Sequence, residues 1–348
     1  MLVIRGRKIG PGEPPYVIAE MSCNHHGRFA EAEAIVRAAK DAGADAIKLQ
    51  TYTADTMTLD APQPWFRIKG GTIWDGRGLY DLYQEAMTPW EWHAPLMKLA
   101  TSLDLTLFSS PFDAGAVDFL HALDVPAYKI ASLENGDIPL IKKVAAQGKP
   151  IIVSTGTATV EEIDEAVKTL RAASASFVLL KCVSAYPAPP EEMNLRAIPA
   201  LSARHGVPVG LSDHTLCSAV AVAATALGAC VIEKHLILSR ASGGPDAPFS
   251  MEPAEFKDMV VALRAAHAAL GDGSLGHAAS EIPTRAFRRS VFAVKDIAAG
   301  ETLTAENIRV IRPGNGLPPR DYEGALGRTA AKPIARGTPL SWDLIAGR

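Results

Sequence analysis

Two histidines carry the first sign of chemistry: His214, in Gly210-Leu211-Ser212-Asp213-His214, and His235, in Glu233-Lys234-His235. Each follows an apolar, strand-like run, residues 207–211 and 229–232. The Ala/Val-rich stretch 218–228 between them is long enough for one crossover helix. In a βαβ unit the two strands are parallel neighbours, so both imidazoles emerge at the same C-terminal edge. Two neutral imidazoles there can take one divalent ion and leave coordination positions open for substrate. A lone histidine at a strand end is more often satisfied by a local hydrogen bond. The pairing, with Asp213, Glu233 and Lys234 alongside, points to a site instead.

The elements that would position this pair recur along the chain. From Tyr16 onward, apolar runs at 17–19, 46–50, 105–108, 127–130, 150–153, 177–180, 207–211 and 229–232 alternate with helical stretches. In the first of those stretches, 29–42, Ile35 and Val36 oppose Glu31, Glu33 and Arg37, and Gly43 ends it. Eight strand–helix pairs are the count of a closed (β/α)8 TIM barrel. No G-x-G-x-x-G opens the first pair, which counts against a doubly wound sheet. A long segment, 51–88, interrupts the rhythm, and four of the five tryptophans fall between Trp65 and Trp92. Over a barrel mouth, such an aromatic-rich loop reads as a substrate lid. Beyond a Gly/Ala/Ser-rich stretch the texture changes: short apolar runs at 290–294, 308–311 and 339–342 are separated by two similar turn units, 296–300 and 334–337. They predict a mostly β module of about sixty residues, near the lower limit for independent folding. The expected organisation is a barrel over 1–272, a linker over 273–284 and the module over 285–348.

A net charge of −3 leaves no electrostatic footprint for nucleic acid or an anionic membrane. No apolar run approaches the length of a membrane span, and residues 1–12 lack the apolar stretch of a signal peptide. The cysteines Cys23, Cys182, Cys217 and Cys230 are scattered, without C-x-x-C spacing, as expected of reduced thiols in the cytoplasm.

In a barrel the chemically useful residues follow the strands. They are Glu20, Asn24 and His25; Lys48 and Gln50; Ser109 and Ser110; Lys129, Ser132 and Glu134; Ser154 and Thr155; Ser184 and Tyr186; Ser212, Asp213 and His214; Glu233 and His235. Two lysines, several hydroxyls and two imidazoles at one mouth suit a phosphorylated, carboxylated small molecule plus a metal. A Schiff-base role for Lys48 or Lys129 competes with this reading. Lys129 would be costly as an unpaired inward charge. Ser132 and Ser154 have the alternative of capping the helices that follow, Tyr186 of anchoring its proline-rich loop, and His25 and His26 of lying on a surface turn.

Several of these residues lie in longer motifs: Ala19-Glu20-Met21-Ser22-Cys23-Asn24-His25, Lys48-Leu49-Gln50-Thr51, Tyr128-Lys129-Ile130-Ala131-Ser132, Ser154-Thr155-Gly156, Gly210 to Thr215, Glu233-Lys234-His235 and Arg312-Pro313-Gly314-Asn315-Gly316. Together they resemble the N-acetylneuraminate synthase family, over essentially the whole chain. Trp74-Asp75-Gly76, Leu79-Tyr80-Asp81-Leu82-Tyr83 and Thr88-Pro89-Trp90-Glu91-Trp92 are most similar to its pseudaminic acid branch. Ser184 stands where the sialic acid branch usually carries Asn, and Ser110 where the family often has Thr.

The resemblance implies a TIM barrel followed by an antifreeze-like (SAF) domain, in a domain-swapped homodimer. It implies condensation of phosphoenolpyruvate with an N-acetylated amino-deoxy aldose to a nonulosonic acid and phosphate. For the pseudaminic branch the aldose is 2,4-diacetamido-2,4,6-trideoxy-L-altrose; N-acetylmannosamine or the legionaminic precursor is the alternative. His214 and His235 would hold Mn²⁺, with Mg²⁺ or Co²⁺ as substitutes. Lys129, Ser132, Ser154, Ser184 and Ser212 would surround phosphoenolpyruvate. Glu20, Gln50, Tyr186 and Asp246 would meet the sugar, and Arg312 would arrive from the partner's module. Asn24 and Ser110 would also bind substrate, and Glu20, Lys48, Lys129, Glu134 and Glu233 would be the catalytic groups, with Glu134 or Glu233 stabilising the cationic carbon or handling the water's protons. An aldolase using pyruvate, and an ice-binding module, are the more distant alternatives; Arg309, Arg312, Arg320 and Arg328 make the C-terminal segment too charged and irregular for ice.

Overall fold

The computed structural model describes residues 1–347, in two compact units that divide between Gly271 and Asp272. The first opens with a hairpin, β1 (Leu2–Ile4) and β2 (Arg7–Ile9). Then follow β3 (Tyr16–Glu20), α1 (Phe29–Asp41), β4 (Ala46–Thr51), α2 (Ala54–Met57), α3 (Leu79–Ala86), α4 (His93–Ser102), β5 (Thr106–Pro111) and α5 (Ala114–Ala122). The order continues with β6 (Tyr128–Ile130), α6 (Ile138–Ala145), β7 (Ile151–Ser154), α7 (Val160–Ala172), β8 (Phe177–Cys182), α8 (Ala197–His205), β9 (Val209–Asp213), α9 (Ala219–Ala226), β10 (Val231–His235) and α10 (Pro253–Ala269).

Strands β3 to β10 close into an eight-stranded parallel barrel in which β10 pairs with both β3 and β9. Buried on both faces, these strands read as near-continuous apolar runs. Their helices follow ordinary rules. In α7, Thr159 and Glu162 form a capping box, and Ile163, Ala166, Val167 and Leu170 make the buried stripe.

Strand alternation sorts the residues into two cores. Val17, Ile47, Leu107, Ile130, Val153 and Leu211 face the helices. Ile18, Ala46, Phe108, Ile152, Val178 and Val231 point into the barrel with Leu2, Ile4 and Ile9 of the hairpin. The hairpin was not expected from the sequence, because two three-residue strands carry too short a pattern to stand out. Gly210 belongs to the inner layer by necessity: a Cβ there would lie 2.4 Å from the Val231 carbonyl oxygen and 2.7 Å from Leu180 Cδ2.

Strands β9 and β10 run two to three residues beyond their apolar cores and so include Asp213 and His235. The alternation then sends Asp213 and Lys234 outward, where Lys234 Nζ donates to Asp213 Oδ2 at 2.9 Å and to the Thr215 carbonyl, fully buried beneath the helices. They are therefore not beside the histidines in the barrel mouth. Helix α4 begins at His93, after a 3-10 turn over Trp90–Trp92.

In the second unit, residues 272–289 are exposed and carry two 3-10 turns. Antiparallel strands β11 (Ser290–Ala293) and β12 (Ile308–Ile311) and the short α11 (Tyr322–Ala325) follow. The two similar turn units pair with each other: Ile297 and Ile334 exchange backbone hydrogen bonds, each 2.9 Å. Ile297 and Ile334 join Val291, Leu303, Ile308 and Leu340 in a small core of its own.

Candidate active site at the barrel mouth

At the C-terminal ends of the strands lies a cavity of about 330 Å³, within the range of small-molecule sites. Glu20, Lys48, Gln50, Lys129, Ser132, Ser154, Tyr186, Ser212, His214, Glu233, His235 and Asp246 all line it. The register explains the convergence: Glu20 stands beside Lys48, and Glu233 beside Ser212, on neighbouring strands.

At its floor is a buried ion cluster. Glu233 Oε1 accepts from Lys48 Nζ and Lys129 Nζ, both at 3.0 Å, and from Ser212 Oγ at 3.4 Å. Lys48 Nζ also lies 2.6 Å from Glu20 Oε2, a charge contact whose angle falls short of a hydrogen bond. Two carboxylates thus balance two ammoniums, and the expected cost of an unpaired Lys129 does not arise. Burial disfavours the Glu233 charge, but the two lysines outweigh it and hold the carboxyl well below the usual range. Burial lowers the Lys48 ammonium to about 7, against the opposing pull of Glu233. Glu233 Oε2 has no partner, which leaves one acceptor for a ligand.

The hydroxyls gather on the β6–β8 side. Neither Ser132 nor Ser154 caps a helix: Asp137 caps α6 and Thr159 caps α7. Ser154 Oγ is buried without a partner. Gly156 keeps this corner open, since a Cβ there would sit 2.3 Å from Ser184 Oγ, 2.7 Å from Ser132 Oγ and 3.1 Å from Cys182 Sγ. Hydroxyls around a bare backbone, with Lys129 among the lining residues, form a cradle suited to a tetrahedral anion. Gly156→Ala should therefore raise the KM for an anionic substrate roughly 10- to 100-fold, about 1–3 kcal/mol, by filling the cradle. Steady-state kinetics check this, and an unchanged KM would remove the cradle from the account.

The two imidazoles stand 5.4 Å apart, centroid to centroid. His214 Nδ1 donates to the Val183 carbonyl oxygen at 2.9 Å, which fixes the tautomer and leaves Nε2 as a lone-pair donor. His235 is held neutral, first by burial and then by the neighbouring imidazole and Lys48, with its pKa well below 6.5. Its Nδ1 has no hydrogen-bond partner, and Asp246 Oδ2 lies 3.6 Å away. Among the described residues no group of three or more His, Cys, Asp or Glu side chains is arranged around one point. The pair therefore fits an ion with two protein ligands whose other positions fall to water or substrate.

Tyr186 stacks at 4.4 Å from His214 and 4.9 Å from Phe249, so its ring lies within the cavity wall. From the long segment, Trp74 crosses the mouth: its indole N–H donates to the Pro245 carbonyl at 3.0 Å and its ring meets Tyr186 at 5.4 Å. Trp92 packs instead on His25 and Phe29, Trp90 on Phe119, and Trp65 is exposed.

Other residues from the strand ends lie off the cavity lining. Ser110, in register beside Gln50, is buried with a free Oγ. Asn24 donates to the Leu236 carbonyl at 3.0 Å and to Ser250 Oγ at 2.9 Å, tying its loop to the chain after β10. Glu134 has a buried, unpartnered Oε2, and burial raises its carboxyl to about 7, although Lys129 and Lys48 pull the other way. Ser109 bonds Thr51 at 2.6 Å, and Thr155 the Leu180 carbonyl at 3.0 Å. His25 is buried against Thr88, so it is not a surface residue. Arg312 belongs to the second unit. Ser22, Cys23, Tyr52, Ile68, Leu79, Leu82, Tyr83, Ala86 and Pro245 also line the cavity. In the sequence, Ser22, Cys23, Leu79, Leu82 and Tyr83 are marked only as members of the motifs that carry the family resemblance, and the others only by lying in the segments that follow β4 and β10.

Residues 35–275 match the NeuB family and 288–346 the SAF domain. The chain is 46% identical over 335 residues to a pseudaminic acid synthase of Helicobacter pylori, covering 96% of this chain and 98% of that protein. It is 35% identical to an N,N'-diacetyllegionaminic acid synthase of Legionella pneumophila, over 95% and 94% of the two chains. A crystal structure of N-acetylneuraminic acid synthetase from Leptospira borgpetersenii, in complex with citrate, superposes with a TM-score of 0.74 at 31% identity. That match covers 81% of this chain and 94% of the other.

Proposed function

The chain belongs to the NeuB family, and on that footing we propose that it condenses phosphoenolpyruvate with 2,4-diacetamido-2,4,6-trideoxy-L-altrose and water to give pseudaminic acid and phosphate. One observation carries the reading: the cradle serines Ser132 and Ser154, a buried Lys–Glu–Lys cluster and the imidazoles of His214 and His235 line a single cavity of small-molecule size. The choice of sugar rests on the greater likeness to pseudaminic acid synthase, 46% identical, than to legionaminic acid synthase, 35% identical.

A divalent ion, Mn²⁺ in this proposal, would be held by His214 and His235 and would polarise the sugar's aldehyde oxygen as a Lewis acid. Ser132, Ser154, Ser184 and Lys129 bind the phosphate, and Ser212 the carboxylate, of phosphoenolpyruvate. Carbon 3 attacks the aldehyde carbon, which Glu20, Gln50, Tyr186 and Asp246 orient through the rest of the sugar. Lys48, close to neutrality in its proton equilibrium, donates to the oxygen that becomes the new hydroxyl. Carbon 2 is left electron-poor beside the Glu233 carboxylate. Glu134, two residues beyond Ser132 and with a free Oε2, takes one proton from the water that adds there. The resulting carbon-2 hydroxyl then gives its remaining proton to the departing phosphate, which leaves with the bridging oxygen to give the 2-keto acid. Asn24 and Ser110 hold the loops around the sugar, and Arg312 of a second copy completes the site in a cytoplasmic, domain-swapped homodimer.

As a base Glu134 must be ionised, and its carboxyl, raised to about 7, is protonated below that pH. kcat/KM should therefore rise with pH through about 7. Glu134→Gln should abolish that limb and lower kcat on the order of 10²- to 10³-fold; a variant that keeps the limb would remove Glu134 from this role. For the function as a whole, the test is a sugar panel read by product mass. The trideoxy altrose should be turned over far better than N-acetylmannosamine or the legionaminic precursor, and preference for either of those would overturn the proposal.

A further inference from the structure

The cavity has two unlike sides. The reacting groups, Lys48, Lys129, Glu233, His214 and His235, all come from barrel strands or their first following residue. A second part of the lining comes from the segment between β4 and α4 and contains Tyr52, Ile68, Trp74, Leu79, Leu82, Tyr83 and Ala86. Helix α3 supplies four of these, at spacings of three, one and three residues, which place them along one helical face. Ile68, Leu79, Leu82 and Ala86 carry no polar side-chain atom. The polar groups that remain in it are the Trp74 N–H, committed to the Pro245 carbonyl at 3.0 Å, and the hydroxyls of Tyr52 and Tyr83, the latter with Glu134 for a neighbour.

The aldehyde end of the sugar must lie at the polar side, because the reacting groups are there. Its far end, carbons 5 and 6, is then left to face the segment wall. We infer that this wall, chiefly Ile68, Leu79 and Leu82 behind Trp74, is the specificity element that selects a sugar ending in a methyl group at carbon 6 over one ending in a hydroxyl. The inference rests on the proposed reaction and names how the same site chooses its substrate. A methyl group buries apolar surface against Ile68, Leu79 and Leu82, whereas a hydroxyl there loses its water and meets side chains that offer no donor or acceptor. Apolar pockets reject an added hydroxyl by no more than about 10²-fold, which sets the expected scale.

The test uses the full chain with Mn²⁺, phosphoenolpyruvate and two sugars, the trideoxy altrose and its 6-hydroxy counterpart. Wild type should favour the 6-deoxy sugar about 10- to 100-fold in kcat/KM. Ile68 and Leu79 are only partly buried, so polar substitutions there leave the core intact. Leu79→Asn and Ile68→Asn should each bring the ratio toward one, by raising turnover of the hydroxylated sugar as well as lowering that of the methylated one. The KM for phosphoenolpyruvate should not move. Trp74→Phe, which keeps an aromatic ring but loses the N–H and the indole's second ring, should retain the discrimination. An unchanged ratio in both Asn variants, with wild type still preferring the 6-deoxy sugar, overturns the wall and leaves the reaction standing. Wild-type preference for the 6-hydroxy sugar overturns both.

Discussion

Replacing Glu233 by Gln should slow the condensation at least about 10³-fold, the largest loss expected from one side chain in the barrel. Among the described residues Glu233 is the sole carboxylate that touches both Lys48 and Lys129, each at 3.0 Å. Without its charge, the two ammoniums lose their shared counter-ion while Glu20 stays beside Lys48 alone, and like charges about 4 Å apart repel by roughly 4 kcal/mol at an effective dielectric constant of 20. Lys48, already lowered to about 7 by burial, will give up its proton, and the site loses a cation for phosphoenolpyruvate. Breaking a buried pair also costs about 3–5 kcal/mol of stability. The double variant Glu233→Gln with Lys48→Met should recover part of that stability and none of the activity. Kinetics and denaturant unfolding on wild type and the two variants separate the two effects. Near-wild-type turnover in Glu233→Gln would contradict the proposed floor of the site.

The second large effect is on the metal. His214→Ala with His235→Ala should abolish phosphate release at any Mn²⁺ concentration that saturates wild type, and chelator should do the same to wild type. Binding gives an independent readout: titration of Mn²⁺ followed by electron paramagnetic resonance should show one site per chain in wild type and none in the double variant. Both substitutions only shorten side chains beside a cavity, so thermal unfolding should shift little compared with Glu233→Gln. Full activity of the double variant in chelator would sink the two-imidazole site.

Much of this architecture was readable from residue patterns. Alternation of apolar strands with amphipathic helices set the barrel count, and inward alternation along Tyr128-Lys129-Ile130 marked Lys129 as a residue with a task. The structure adds what such patterns do not carry. Strand ends drawn from apolar runs stop short, because a strand continues through polar residues once its neighbours supply the ladder. Asp213 and Lys234 consequently lie on the far face from His214 and His235, although adjacent in sequence. Gly156 gave no warning of its role, since close approach by Ser132 and Ser184 depends on the packing of three loops. The apolar wall was hidden for the opposite reason: Ile68, Leu79 and Leu82 are ordinary core types, and only their place on the cavity gives them a second meaning.

The most direct measurement of the central claim follows one oxygen. Phosphoenolpyruvate labelled with heavy oxygen at the bridge between carbon 2 and phosphorus is incubated with the chain, Mn²⁺ and the trideoxy altrose, and both products are weighed by mass spectrometry. The account predicts pseudaminic acid without label and phosphate carrying it, because water adds at carbon 2 and the carbon–oxygen bond breaks. Label retained in the sugar acid, or phosphate released without any nine-carbon product, would contradict it.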